Sequence, residues 1–191
     1  MNNFLLKLSV FTLCLTFVAG VSTSAEAASR EERREDVRTQ STRTLNRLYS
    51  SLPGTESVIK KAYGYAVFSN FGMKLFVVGG GKGRGIAVEN STGKEVFMRM
   101  VELQAGLGFG IKQFSMIFVF DNQTVFNNFT ESGWQLGGQG TAAVKTTESG
   151  SALENAIAVS SGVWVYQLTE KGLALELTGK GTRYYRDKKL N

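Results

Sequence analysis

The stretch LFVVGGGKGRGIAV, residues 75–88, decides the fold, because glycine occupies every second position from Gly79 to Gly85. Alternate residues of an extended strand point to the same side of the sheet, so this stretch would present one face without side chains. Glycine weakens a strand interior unless another group must approach the backbone closely. The pattern therefore predicts a tightly curved antiparallel β-structure in which another element packs against bare backbone, either a helix or an opposing strand.

The same alternation recurs further along the chain and extends this prediction. Glycine occupies positions 106, 108 and 110, and a shorter version follows at positions 138 and 140. From position 64 onward the apolar residues follow a period of two, which is typical of strands. We expect strands at residues 64–69, 75–78, 85–88, 95–105, 106–112, 116–120, 134–144, 163–168, 173–178 and 182–186.

Helical patterns precede and interrupt these strands. Residues 29–52 carry a thin apolar stripe at helical spacing, with Ser29 as the expected N-cap and carboxylates in the early turns. Pro53 ends this helix, and shorter helices are expected at 55–62 and 123–129. The sequence predicts an α+β fold, with an N-terminal helix or two followed by a curved, mostly antiparallel, glycine-rich sheet or partial barrel and one short inserted helix.

The glycine run does not fit a nucleotide-binding motif. A Walker loop needs four residues between its glycines and then Gly-Lys-Ser/Thr, whereas Lys82 is followed by Gly83. The dinucleotide fingerprint also fails, because its third glycine would fall on Arg84 or Ile86. We interpret the run as a glycine-faced hairpin with Lys82 and Arg84 at its exposed turn, where both cations could meet an anionic headgroup.

The composition excludes several kinds of chemistry. Hydrophobic residues make up 42% of the 191 residues and charged residues 20%, as in an ordinary globular protein. There is no histidine, and the one cysteine, Cys14, lies in the N-terminal segment described next. Beyond that segment the chain lacks the usual ligands of zinc, copper and haem, so we predict neither a metal nor a cofactor.

Residues 1–27 have the features of a secretory signal peptide. Lys7 closes a short positive region, residues 8–21 form an apolar run that is short for a bilayer span, and SAEA at 24–27 is an A-x-A cleavage site. We expect cleavage near Ala27 and a periplasmic or secreted protein. An uncleaved anchor and a lipoprotein modified at Cys14 are the alternatives.

The formal net charge of +6 favours an acidic partner. Basic residues cluster at 38–61, at 82–84 and at 171–191. Export disfavours nucleic acid, and the sequence contains no recognised nucleic-acid motif, which leaves an anionic lipid surface or a solvated basic surface without a partner. The residues that we expect to contact headgroups are Arg38, Arg43, Arg47, Lys60, Lys61, Lys82 and Arg84.

Two arrangements of residues raise the possibility of catalysis. Glu89, Glu95 and Glu102 could converge across a hairpin, as the acid and base of a hydrolase require. Ser57 precedes two lysines in the second predicted helix and forms a local Ser–Lys arrangement. In both cases the alternative is a set of solvated side chains without a catalytic role.

Several blocks of sequence resemble the SYLF domain family in their order and spacing. They are GYAVF at 64–68, VVGGGKGRGIAV at 77–88, GLGFGIK at 106–112, MIFVFDNQTVFNNF at 116–129 and GWQLGGQGTAAVK at 133–145. The resemblance implies a lipid-binding module without enzymatic activity. It also implies eukaryotic relatives that bind phosphoinositides and a fungal branch that binds actin. An exported protein would meet neither cytosolic actin nor phosphoinositides.

These inferences divide the chain and define its expected function. We expect a signal peptide at 1–27, an N-terminal helix at 28–53 and a SYLF-like, β-rich domain at 54–191. The expected function is an exported, non-catalytic, lipid-binding module that docks on anionic lipid surfaces through basic residues. The alternative is a protein-interaction module of the cell envelope that uses the same basic surface or exposed aromatic residues such as Phe71 and Tyr184.

Overall fold

The structure is a computed structural model that describes residues 3–69, 80–103, 114–136, 153, 155–169, 172–174 and 181–191. Two helices, α1 (Asn3–Ser51) and α2 (Thr55–Lys61), precede the sheet. A third helix, α3 (Gln123–Asn127), runs into a π-helical segment, Asn128–Ser132. The described strands are β1 (Gly64–Ser69), β2 (Gly80–Glu89), β3 (Glu95–Leu103), β4 (Phe114–Phe120), β5 (Trp134–Leu136), β6 (Ile157–Ser160), β7 (Val163–Thr169), β8 (Gly172–Ala174) and β9 (Thr182–Arg186).

The described strands form one antiparallel sheet. Its order is β5-β9-β3-β2-β1-β4-β7-β6, and β8 pairs with β7 outside this path. The sheet is nearly barrel-shaped, with the N-terminal helix before it and a short helix inserted. The predicted fold class is therefore confirmed.

Helix α1 is longer than the sequence pattern predicted. It begins at Asn3 and continues through Ser29, so Ser29 is not an N-cap. Residues 25–36 consist largely of alanine, glutamate and arginine, which are strong helix formers, and nothing there interrupts the backbone hydrogen bonds. The described residues include no helix with an apolar stretch long enough to cross a bilayer.

The inner face of the sheet is filled by aromatic and methionine side chains. The Phe68 ring lies 5.8 Å from Phe118, 6.0 Å from Phe129 and 4.7 Å from Tyr184, measured between ring centroids. Phe129 comes from the π-helical segment, so the inserted helix closes this side of the core. We call this side the inner face.

The glycine face in β2 is confirmed, but the group that approaches it differs from the prediction. A Cβ atom on Gly85 would meet the ring of Phe68 and the carbonyl oxygen of Val67, both on the adjacent strand β1. A Cβ atom on Gly83 would lie 2.8 Å from the Met100 side chain on β3. Side chains and carbonyl oxygens of the neighbouring strands, not a helix or an opposing strand, occupy the space over these two glycines.

The opposite, outer face of the sheet is covered in part by α1 and α2. Leu48 of α1 and Ile59 of α2 pack with Val67, together with Ile117 and other residues of β4 and β7. Closer to the N-terminus, Val37 of α1 packs with a second apolar cluster. These contacts fix the helix along the sheet and leave a space between them, which is described below. The remaining buried members of the second cluster are Ile86, Phe97 and Leu190.

The strand assignments contain one error that affects the site. Residues 80–89 form a continuous strand whose register with β3 runs from Gly80 opposite Leu103 to Val88 opposite Glu95. Lys82 and the arginine two residues later therefore lie in the interior of a strand, and the predicted turn between 78 and 85 is wrong. Pairing with strands on both sides keeps this glycine-rich backbone extended.

Other strand predictions are confirmed, missed or untested. The strands at 64–69 and 182–186 have the predicted bounds. Strand β6 was missed because its four residues are too few to show a period. The predicted strands at 75–78 and 106–112 lie outside the described residues.

We predict that Gly85→Ala destabilises the fold more than Gly83→Ala does. The Phe68 ring and the Val67 backbone cannot move away from a Cβ atom at position 85, whereas the Met100 side chain near position 83 is flexible. Overpacking of this kind lowers the free energy of unfolding by about 2–3 kcal/mol, and we expect a smaller loss at position 83. Urea unfolding followed by circular dichroism measures both. Equal losses would contradict the packing described here.

Candidate functional site

Two arginines face each other on the outer face of the sheet. Arg84 on β2 lies directly opposite Arg99 on β3. Together the two arginines form part of a row of residues that runs across neighbouring strands. In this row Tyr185 of β9 lies opposite Arg99, and Ser69 of β1 lies opposite Arg84. Like charges directly opposite each other on a sheet destabilise it, by up to about 1 kcal/mol. A bound anion would remove this repulsion.

Two more cations extend this positive region along the same face. Lys82 precedes Arg84 by two positions and lies opposite Val101 of β3. Arg183 of β9 lies on the other side of Val101 and is exposed. Lys82, Arg84, Arg99 and Arg183 thus occupy two adjacent rows of the outer face.

A cavity of about 670 Å³ lies between these rows and helix α1. Its volume is in the range of small-molecule sites, about 300–1,000 Å³. Helix α1 contributes polar side chains as well as an apolar contact, so the space is not a gap in the hydrophobic core. The lining residues are Asp36, Val37, Gln40, Lys82, Gly83, Arg84, Arg99, Met100, Val101 and Tyr185.

Arg99 is fixed in place by a buried carboxylate. Its Nε donates a hydrogen bond of 2.8 Å to Oδ2 of Asp187, which is only 2% exposed. This bond raises the pKa of the Arg99 guanidinium above its usual value. The other oxygen of Asp187 accepts the backbone N–H of Lys189 at 2.9 Å. Arg84, by contrast, is exposed and makes no ion pair among the described residues.

The C-terminal residues and α1 hold each other beside the cavity. The side-chain amide of Asn191 donates to the carbonyl oxygens of Phe97 and Asp187 at 2.8 and 2.7 Å. Arg34 of α1 donates from Nε to the carbonyl oxygen of Leu190 at 2.6 Å. The wall that carries Arg99 is therefore tied both to the chain end and to the helix.

The structure places Arg38 in an ion-pair network. Its guanidinium contacts Glu31 at 2.7 Å, Glu35 at 3.3 Å and Glu95 at 3.0 Å, and it lies over the ring of Phe97. The hydrogen bond to Glu31 raises the pKa of Arg38 and lowers the pKa of Glu31. Arg38 joins α1 to β3, and its contact with headgroups stays a prediction.

The other predicted cations lie apart from the cavity. Arg43 and Arg47 are on the exposed side of α1, where Arg43 donates to the Gln40 side chain at 3.1 Å and Arg47 to a backbone carbonyl at 3.0 Å. Lys60 of α2 pairs with Glu56 at 2.7 Å, and Lys61 is exposed. Of the seven residues predicted to contact headgroups, only Lys82 and Arg84 on β2 line the cavity.

Sequence reasoning missed Arg99 and misassigned Tyr184. Arg99 interrupts an alternating apolar run between Met98 and Met100, and this position in the pattern could have marked it as an outer-face cation. Tyr184 is fully buried in the inner aromatic cluster, so the expectation of an exposed aromatic residue there is wrong. The strand alternation sends Tyr184 inward and Tyr185 outward. Phe71, the other predicted aromatic, lies outside the described residues.

The carboxylates proposed for a hydrolase do not come together. Glu89 accepts hydrogen bonds from the Tyr63 hydroxyl at 2.9 Å and from Ser91, and the bond from Tyr63 lowers the pKa of Glu89. Glu95 lies opposite Val88 on the outer face, whereas Glu89, one residue further along β2, belongs to the inner face. These two residues cannot act on one substrate.

Two further observations concern catalysis and metal binding. The backbone of Glu102 lies opposite Gly81, at the far end of β3 from Glu95. Within the ranges that the structure describes, no group of three or more acidic, cysteine or histidine residues could hold a metal ion.

The fold and the cavity define a β-rich domain with a cation-lined cleft beside its N-terminal helix. Residues 101–191 match the family model Ysc84, described as Las17-binding protein actin regulator. A protein of Aeromonas veronii named "Beta cell expansion factor A" is 31% identical over 162 residues, which are 84% of this chain and 59% of the relative. The chain spans less than two thirds of that relative's length.

The resemblance to the SYLF family that was inferred from the sequence is therefore confirmed by the match of residues 101–191 to the Ysc84 (SYLF) model. Neither the family description nor the name of the relative refers to an enzymatic activity.

We predict that Asp187→Ala lowers the free energy of unfolding by about 2 kcal/mol, since it removes a buried carboxylate with two hydrogen bonds, one of them to a charged group. Asp36→Ala is the matched control, because Asp36 lines the same cavity but is exposed, and its effect should stay within about 0.5 kcal/mol. Chemical denaturation measures both variants. A neutral Asp187→Ala would contradict the role given to this carboxylate.

Proposed function

We propose that this chain is an exported, non-catalytic domain that docks on anionic lipid surfaces through its basic residues. The observation that carries the proposal is the cation-lined cleft, in which Arg84 and Arg99 face each other and Lys82 lines the same cavity. Arg99 is paired with Asp187, whereas Arg84 makes no ion pair among the described residues, so this part of the surface still attracts negative charge. The resemblance of the sequence to lipid-binding SYLF domains supports lipid as the source of that charge.

The energetics fit a reversible electrostatic attachment. Each cation held near an anionic membrane contributes about 1 kcal/mol, and this attraction weakens as salt screens the charges. Lys82, Arg84, Arg99 and Arg183 lie on one face of the sheet, so they can approach one surface together. The exposed arginines on the outward side of α1 would add a second contact.

A binding role is proposed instead of catalysis because of where the acidic residues lie. Glu89 and Glu95, two of the carboxylates of the hydrolase hypothesis, project to opposite faces of the sheet. The features of a signal peptide at residues 1–27 support export, which would bring the domain to lipid surfaces of the cell envelope or its surroundings.

A second candidate is a protein-interaction module of the cell envelope. It is favoured by the family description, which names Las17 as bound and actin as regulated, and both of these are proteins. An acidic protein surface could use the same cations. This candidate predicts a partner whose binding does not depend on lipid.

We predict that the protein purified after export pellets with vesicles that contain acidic lipid and not with neutral phosphatidylcholine vesicles. Pelleting should fall when the salt concentration is raised. Arg84→Gln should weaken binding to acidic vesicles about fivefold, because it removes a contribution of about 1 kcal/mol.

Lys94→Gln is the matched control for this experiment. Lys94 is exposed in the turn at the other end of β2, so this variant removes the same charge away from the cleft and should bind nearly as the unmodified protein does. Equal pelleting with neutral and acidic vesicles at both salt concentrations would refute the proposal. Capture of an envelope protein without lipid would favour the second candidate.

A further inference from the structure

We propose that the cleft between α1 and the sheet binds one doubly charged phosphate group of the phosphomonoester type, held between the guanidinium groups of Arg84 and Arg99. The inference rests on the proposed function and deepens it, since it names the chemical group that the anionic surface must offer. Carboxylates and phosphodiesters carry a single negative charge and would satisfy the site less well.

The geometry of the strands brings the two guanidinium groups to one ligand. Arg84 and Arg99 are cross-strand partners, and partners in antiparallel strands have Cα atoms about 4.5–5.5 Å apart. Their side chains leave the sheet on the same side and line the same cavity. A tetrahedral phosphate has enough acceptor oxygens to receive hydrogen bonds from both planar guanidinium groups.

One of the two arginines is already oriented before a ligand arrives. The bond from Arg99 Nε to the buried Asp187 uses one of the five N–H donors of that guanidinium, and the other four belong to its terminal nitrogens. The Tyr185 side chain also bonds to Arg99. Asp187 itself is held by the Lys189 backbone. Asp187 is therefore a positioning residue, which acts on the ligand through Arg99.

The charges on the cavity wall favour a dianion. Lys82, Arg84 and Arg99 are positive, and Asp36 from α1 is the one carboxylate among the described lining residues. Asp187, which pairs with Arg99 behind the wall, offsets one of these charges, so the net charge that a ligand meets is about +1. A phosphomonoester with a charge of about −1.5 to −2 is attracted to it more strongly than a singly charged group is, because Coulomb attraction grows with the charge of the ligand.

The volume allows either of two sources for this phosphate. At about 670 Å³ the cavity is larger than a phosphate ion and has room for the group that carries it. The phosphomonoester could belong to a lipid headgroup or to a soluble phosphate compound. The chemistry at the arginines is the same in both cases, so the experiment includes one arm for each source.

The test compares vesicles of phosphatidylcholine that contain either phosphatidic acid, a phosphomonoester, or phosphatidylglycerol, a phosphodiester, matched for surface charge. We expect the exported protein to bind the phosphatidic acid vesicles about tenfold more tightly, as an additional charge-assisted pair of hydrogen bonds would allow. Arg84→Lys keeps the net charge but lacks the planar fork of donors. It should lose the preference and retain binding to phosphatidylglycerol vesicles.

Arg30→Lys is the control variant, because Arg30 is exposed on α1 and does not line the cavity, and it should keep the preference. Equal binding of both vesicle types would overturn the inference and leave the proposed function standing, whereas binding of neither would overturn both. A preference that persists in Arg84→Lys would also overturn it.

A second arm adds inorganic phosphate to the phosphatidic acid vesicles, with sodium chloride at equal ionic strength as its control. Displacement by phosphate beyond that caused by the salt supports a site that accepts the free group. If the protein stays bound to the phosphatidic acid vesicles in inorganic phosphate, the site requires the lipid headgroup. This conclusion also needs the preference for phosphatidic acid over phosphatidylglycerol, and the loss of that preference in Arg84→Lys. Circular dichroism of each variant confirms that it is folded.

Discussion

The ring of Phe68 lies against the bare backbone at Gly85, and the arrangement of the two sheet faces depends on this contact. Because Gly85 has no side chain, a phenylalanine on the neighbouring strand can turn across it and meet Phe118, Phe129 and Tyr184. The inner face thereby fills with aromatic rings. The cation-lined cavity lies on the other face, where the sheet meets α1.

The helix covers that outer face unevenly, and the cleft is the result. Toward its C-terminal end, α1 packs on the sheet through Leu48 and its apolar neighbours. Further back, Arg34 and Arg38 reach over the ring of Phe97 and bind a carbonyl group and carboxylates. Between these attachments the helix presents polar side chains to the cationic strands, so a space remains there instead of a packed core.

The sequence predicted those parts of the fold that depend on local pattern. The period of two and the flanking turns placed β1 and β9 with their observed bounds. The same reasoning placed a turn at Lys82 and Arg84, because a glycine run in isolation resembles a turn. Pairing of β2 with strands on both sides overrides that local preference.

The candidate site was predictable only in part, since it is made by register between distant strands. The cations of β2 stood out in the sequence, whereas their neighbour Arg99 follows from a pairing that no local pattern specifies. For the same reason the faces of Tyr184 and Tyr185 could not be assigned, because a shift of one residue exchanges inward and outward positions. The buried partner Asp187 belongs to a turn after the last strand and had no sequence signal.

The most direct test of the cleft is an NMR titration that follows the Nε–H signals of all arginine side chains while acidic bicelles are added to the protein. The structure predicts that the signals of Arg84 and Arg99 shift first and together, ahead of those of Arg43 and Arg47 on the outward side of α1. Shifts confined to Arg43 and Arg47, with Arg84 and Arg99 unchanged at saturation, would contradict the account.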